Sequence, residues 1–120
     1  MFLVDTSYWV AHFSGKTDLL QNYLLNQVIL THDLILGELM LGHFQKKQRN
    51  YIFELLTSIN RLPMSSHEDV VSFATKQRLA GKGIGWIDAH LLHSCWVNQA
   101  GILTLDKNLK KMASSLRIKT

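Results

Sequence analysis

Nine acidic residues are spread through the 120-residue chain, and four of them stand in apolar surroundings. Asp5 closes the run Phe2-Leu3-Val4, and Asp106 closes Ile102-Leu103-Thr104-Leu105. Glu38 lies inside Leu34-Ile35-Leu36-Gly37-Glu38-Leu39-Met40-Leu41, and Asp88 inside Gly85-Trp86-Ile87-Asp88-Ala89-His90-Leu91-Leu92. A buried, unpaired carboxylate costs several kcal/mol or takes up a proton, so acids in such places call for a compensating charge. Hard oxygen donors with few nitrogen or sulfur neighbours suit Mg²⁺ or Mn²⁺. Carboxylates gathered around such ions are the ligand set of metal-assisted phosphodiester hydrolysis. Asp5 and Asp88 each also have a plain structural reading, because Asp is a common helix N-cap. The other five acids need no chemistry: Asp18 and Asp33 lie near helix starts, Glu54 on a solvated face, and Glu68 with Asp69 in a first helical turn.

The elements that must position these acids follow from periodicity and breakers. Phe2–Val4 reads as a buried strand, and residues 17–27 carry apolar side chains at helical spacing. Val28–Leu30 reads as a second strand, followed by a helix capped by Thr31 or Asp33 and running through His43. Helical pattern continues over Tyr51–Leu56, Ile59–Leu62 is a candidate strand stopped by Pro63, and Ser66 opens an acid-rich helix start. After Gly81, Gly83 and Gly85 come an apolar helix (Trp86–Gln99), a strand (Ile102–Leu105), a basic helix (Lys107–Ser114) and an edge strand at Arg117–Lys119. Short strands alternating with helices predict an α/β sandwich around a mainly parallel sheet. In such a sheet the strand tips share one edge, so Asp5 and Asp106 are expected to face one crevice.

These segments, in this order, resemble the PIN-domain family, and within it the VapC-type toxins of toxin–antitoxin pairs. The resemblance rests on Leu3-Val4-Asp5-Thr6-Ser7-Tyr8-Trp9, the Glu38 helix, the segment from Gly83 to Leu92, and Leu103-Thr104-Leu105-Asp106-Lys107-Asn108-Leu109. It implies one PIN-like three-layer α/β/α domain over residues 1–120, endoribonuclease activity dependent on Mg²⁺ or Mn²⁺, and a cognate antitoxin. It also implies Asp5 and Asp88 as direct metal ligands, with Glu38 and Asp106 completing the quartet and one of them assisting deprotonation of the attacking water. Ser7 and Thr104 stand beside these acids as supporting hydroxyls, with capping and strand packing as their alternatives. One departure is the helix after Asp88, which carries His90, His93 and Cys95 where small apolar residues are expected. His90 and His93 alone make a poor zinc site and are read as surface or partner-facing.

A formal charge of +4 favours an anionic partner. Lys107, Lys110 and Lys111, following Asp106, are candidate RNA-binding residues, with a solvated helix face as the alternative; Lys46, Lys47 and Arg49 form a second basic patch. The lone Cys95 points to a reducing, cytoplasmic setting. No signal peptide is expected, nor an apolar stretch near the roughly 18 residues that span a bilayer. Leu34–Phe44 is apolar nearly all round and is expected to form a protein interface, with an antitoxin segment or a second copy in a homodimer, and Tyr8 and Trp9 are candidate anchors. The competing reading is a non-catalytic RNA- or protein-binding module on the same fold.

Overall fold

The computed structural model describes residues 1–16, 18–26 and 28–120. The chain runs β1 (Phe2–Val4), α1 (Thr6–Phe13), α2 (Leu19–Leu25), β2 (Ile29–Leu30), α3 (Asp33–Met40), α4 (Lys46–Ser58), α5 (His67–Lys76), α6 (Trp86–Asn98), β3 (Gly101–Leu103) and α7 (Lys107–Ser115). The two ends of the helix expected over 17–27 fall outside the described residues; α2 lies between them.

The sheet has strand order β2-β1-β3, and both pairings are parallel. Leu3, Val4 and Ile102 are closed to solvent, as expected of strands covered on both faces. Truncating Leu3 or Ile102 to Ala would cost about 2–5 kcal/mol in lost transfer energy and residual cavity. Helices α1, α3 and α4 pack among themselves, as do α5 and α6, in a PIN-like three-layer sandwich around the parallel sheet. Helix α6 is buried without a break from Ala89 to Cys95, which explains its lack of a polar face.

Register places the first acid. Val4 pairs with Leu103, and the Asp5 amide donates to the Leu103 carbonyl at 2.9 Å, so Asp5 and Thr104 leave the sheet side by side. Each strand tip then turns into a helix start, at Asp5 for α1 and at Asp106 for α7.

Several expected elements are shorter than their sequence pattern. Ile59–Leu62 contributes only a bridge between Arg61 and Thr31, because Pro63 follows immediately. Arg117–Lys119 forms no strand; Arg117 adopts φ +61°, and Lys119 lends one carbonyl to the Ile102 amide. Helix α3 stops at Met40, and its cap is neither Thr31 nor Asp33 but His32, whose Nδ1 accepts from the Leu34 amide at 3.1 Å. Asp33 instead pairs with Arg61 at 2.8 Å. Nor does α3 need a partner to cover its apolar surface. Ile35 and Leu39 are core, Leu36, Met40 and Phe44 pack against it, and of this group only Leu41 is largely exposed. Tyr8 and Trp9 are core residues too, so neither is a free anchor.

Candidate active site

Asp5 holds the N-cap position of α1, yet its carboxylate makes no capping hydrogen bond. Its Oδ2 instead accepts two hydroxyls, from Ser7 Oγ and Thr104 Oγ1, each at 2.8 Å. Both hydroxyls are held in turn by backbone: the Leu105 amide donates to Ser7 Oγ and the Asp106 amide to Thr104 Oγ1, each at 3.0 Å. The two supporting hydroxyls thus orient the acid and the chain between Thr104 and Asp106. Asp5 is 6% exposed, and its Oδ1 has no hydrogen-bond partner among the described residues.

Glu38, half-buried on α3, accepts from Thr6 Oγ1 at 2.7 Å through Oε1. Thr6 is a site residue to which the sequence alone assigns no role. Its signal lay in the tripeptide Asp5-Thr6-Ser7, where two successive hydroxyls follow an acid and only one can turn back toward it.

Asp88 sits in the first turn of α6, two residues after the start at Trp86, with Gly85 as N-cap. Its pKa is raised to about 6, first by burial and then by repulsion from Asp5, Asp106 and Glu38 in that order; the Gly85 amide acts weakly the other way. All three other acids therefore act on one carboxylate. Asp106 acts on Asp88 more strongly than Glu38 does.

Asp106 is exposed and is a working N-cap, its Oδ1 accepting from the amides of Asn108 (2.9 Å) and Leu109 (3.1 Å). Asn108 then donates through Nδ2 to the Lys82 and Gly83 carbonyls at 3.0 Å, tying the start of α7 to the loop that leads to Asp88. Gly83 lies at φ +74°, and a Cβ there would meet Asn108 Nδ2 at 2.7 Å, so the loop needs glycine on both counts. Asn108 was another residue missed in the sequence; its distance of two positions from an acid was the only cue.

No lysine or arginine compensates the quartet: among the described residues the only ion pair is Arg61–Asp33. Also among the described residues, no three His, Cys, Asp or Glu side chains converge closely enough to hold a metal ion. The four acids are nonetheless close enough for the other three to repel Asp88. Lys107, Lys110 and Lys111 are exposed on α7, and Lys111 joins Lys82 and Asn108 around a cleft of about 270 Å³.

The histidines of α6 differ from expectation. His90 and His93 are buried, because α6 is covered on several sides. His90 meets Trp86 edge to face at 4.9 Å, while His93 stands against Phe73 and bonds Ser65 Oγ at 2.8 Å through Nδ1. Burial pushes the His90 pKa down, with His93 and His67 adding to it. Cys95 is a buried free thiol whose pKa burial pushes up to about 12, which makes it unreactive.

The fold and this acid-lined sheet edge together define a class of protein. Residues 2–115 match the PIN domain, and the chain belongs to the PIN-domain family. It is 37% identical over 111 residues to the Ribonuclease VapC32 sequences of two Mycobacterium tuberculosis strains, CDC 1551 / Oshkosh and ATCC 25618 / H37Rv, covering 92% of this chain and 88% of each relative. Among solved structures it is similar to the crystal structure of PAE2754 from Pyrobaculum aerophilum, with a TM-score of 0.67 at 16% identity over 92% of this chain and 83% of that one.

Proposed function

We propose that residues 1–120 form one catalytic domain, an Mg²⁺- or Mn²⁺-dependent endoribonuclease that acts as the toxin of a toxin–antitoxin pair. The observation that carries this reading is Asp88: one carboxylate repelled by three others, with no cationic side chain paired to any of them. Homology to ribonucleases of the VapC type supports the same reading.

The donor set fits a hard divalent cation, being all oxygen and lacking a compensating side-chain charge. Asp5 through Oδ1, together with Asp88, would hold it. Such an ion, when bound, supplies Lewis-acid polarisation of the phosphate and a more acidic water. Ser7 and Thr104 keep Asp5 turned to receive it. Glu38, with Oε1 fixed by Thr6, has Oε2 available to accept a proton from the attacking water. Asp106 keeps Oδ2 for the same site while Oδ1 caps α7. Lys107, Lys110 and Lys111 would bind flanking phosphates of the RNA.

Purified protein should cleave RNA with Mg²⁺ or Mn²⁺ and stop with EDTA, and Asp5→Asn or Asp88→Asn should abolish cleavage without loss of fold. Full activity in EDTA would sink the metal mechanism. The toxin role, with a cognate antitoxin, a homodimeric state and a cytoplasmic location, predicts growth arrest on expression, relieved by a neighbouring small gene product. A second reading is a non-catalytic RNA- or protein-binding module, which fits the lack, among the described residues, of three side chains grouped to hold a metal ion. RNA binding that persists with no cleavage in either metal would select it. Among the described residues no helix is long and apolar enough to cross a membrane.

A further inference from the structure

Trp86 is the first residue of α6, two positions before Asp88, and it is 44% exposed. A large aromatic side chain left half in solvent beside an active site gives up burial energy that most tryptophans keep. This one is nonetheless held firmly. The His67 ring stands at 5.0 Å, tilted by 50°, and His90 meets it edge-on at 4.9 Å. The indole also forms one wall of an apolar notch of about 230 Å³ between α5 and α6, lined further by Ala74, Leu79, Ala80, Ile84 and Ala89. Small side chains make up much of that lining, so a flat group can lie against the indole. At Gly85, which also lines the notch, a Cβ would meet nothing within 4 Å, so this side of the notch is open.

We propose that Trp86 and this notch form a stacking subsite for an unpaired nucleobase of the RNA, next to the phosphate that is cut. The inference rests on the ribonuclease reading and adds to it a residue that positions substrate. Three features argue for a base rather than a peptide side chain. The notch is lined by Gly85, Trp86 and Ala89, in the same helix start whose first turn carries Asp88. Its size and flat aromatic wall suit a base, and stacking on an immobilised indole needs no sequence-specific hydrogen bonds. Lys82, at the start of the loop that leads to Trp86, borders a second cleft with Lys111, and these two cations suit the connecting phosphates.

Trp96 supplies an internal control. It is similarly exposed, at 49%, and held by Phe73 at 5.4 Å, but lies ten residues further along α6, about 15 Å from Trp86 at 1.5 Å per residue. Steady-state cleavage of a single-stranded oligoribonucleotide is measured for wild type, Trp86→Ala, Trp86→Phe and Trp96→Ala. Tryptophan fluorescence is titrated with the same oligonucleotide in EDTA. Trp86→Ala should raise KM about 10-fold with kcat little changed, Trp86→Phe should raise it less, and Trp96→Ala not at all. Quenching in wild type should vanish in Trp86→Phe, a variant that keeps a ring at the helix start.

Cleavage with KM unaffected by Trp86→Phe and a folded Trp86→Ala, or equally affected by Trp96→Ala, overturns the stacking subsite and leaves the ribonuclease reading intact; the notch then serves a protein partner or nothing. Quenching that depends on Trp86 in a protein that cleaves no RNA supports the subsite and removes the catalytic reading. Absence of both overturns both.

Discussion

Asp5 Oδ2 and Thr104 Oγ1 lie 2.8 Å apart although ninety-nine positions separate them in sequence. The parallel register of β1 with β3 brings them together, and Ser7 adds a second hydroxyl to the same oxygen. An acid held in this way presents its other oxygen in a fixed direction, which is what a metal ligand requires of its supporting partners. Thr104→Val, which keeps shape and removes the donor, should lower kcat about 10- to 100-fold with KM little changed, while Thr104→Ser should retain most activity. Circular dichroism would show both variants folded. A Thr104→Val enzyme with wild-type kcat would show that the hydroxyl serves packing alone.

Asp88 makes the stability of the metal-free protein depend on pH. Its folded pKa, about 6, lies above the ordinary 3.8, so between these values the folded state binds more protons than the unfolded chain. Stability from this group therefore falls as pH rises through that window and is lowest above it. Asp88→Asn should stabilise the metal-free protein at pH 7 by about 1–2 kcal/mol, allowing for solvent screening, and flatten this part of the pH profile. Thermal melts in EDTA between pH 4 and 7 test this. Added Mn²⁺ should raise the melting temperature of wild type at pH 7, progressively less as pH drops below about 6, because protonated Asp88 is a poor ligand.

Much of the site was legible because its acids stand out chemically. A carboxylate after Phe2-Leu3-Val4, or among the leucines of α3, contradicts its own neighbourhood, and that conflict is written in the sequence. What could not be read was which oxygen each acid spends on structure. Asp5 and Asp106 both follow buried strands and both occupy N-cap positions, yet only Asp106 caps. The difference comes from Ser7 and Thr104, whose approach depends on strand register. The short elements were misjudged for a related reason. Ile59–Leu62 and Arg117–Lys119 have strand-forming residues, but pairing is decided by neighbours, and each found only a single bridge or bond. His90 and His93 looked like surface residues because histidine is often half-exposed, whereas the crowding around α6 is a tertiary fact.

The double duty of Asp106 can be separated by two substitutions. Asn accepts the Asn108 and Leu109 amides about as well as Asp, so Asp106→Asn should melt within about 0.5 kcal/mol of wild type. Asp106→Ala loses the cap and should cost about 1 kcal/mol. Both remove the charge that acts on Asp88, so both should lose activity alike. Activity that follows stability, kept in Asn and lost in Ala, would reduce Asp106 to a cap.

Lys107, Lys110 and Lys111 fall at i, i+3 and i+4 of α7, on one side of a helix whose buried side is Leu109 and Ala113. One turn of helix therefore offers three cations immediately after Asp106. If they bind phosphates, each neutralised charge contributes to the salt dependence of binding, about 0.7 per contact for single strands. Replacing all three by Gln should reduce the slope of log affinity against log salt by about 2 and weaken binding most at low salt. The same change at Lys46 and Lys47, at the start of α4, removes two charges from the second basic patch and should leave the slope nearly unchanged. Filter binding in EDTA from about 50 to 200 mM salt reads this directly. Equal slopes for the two sets of variants would mean that RNA feels only net charge, and α7 would lose its place in the binding surface.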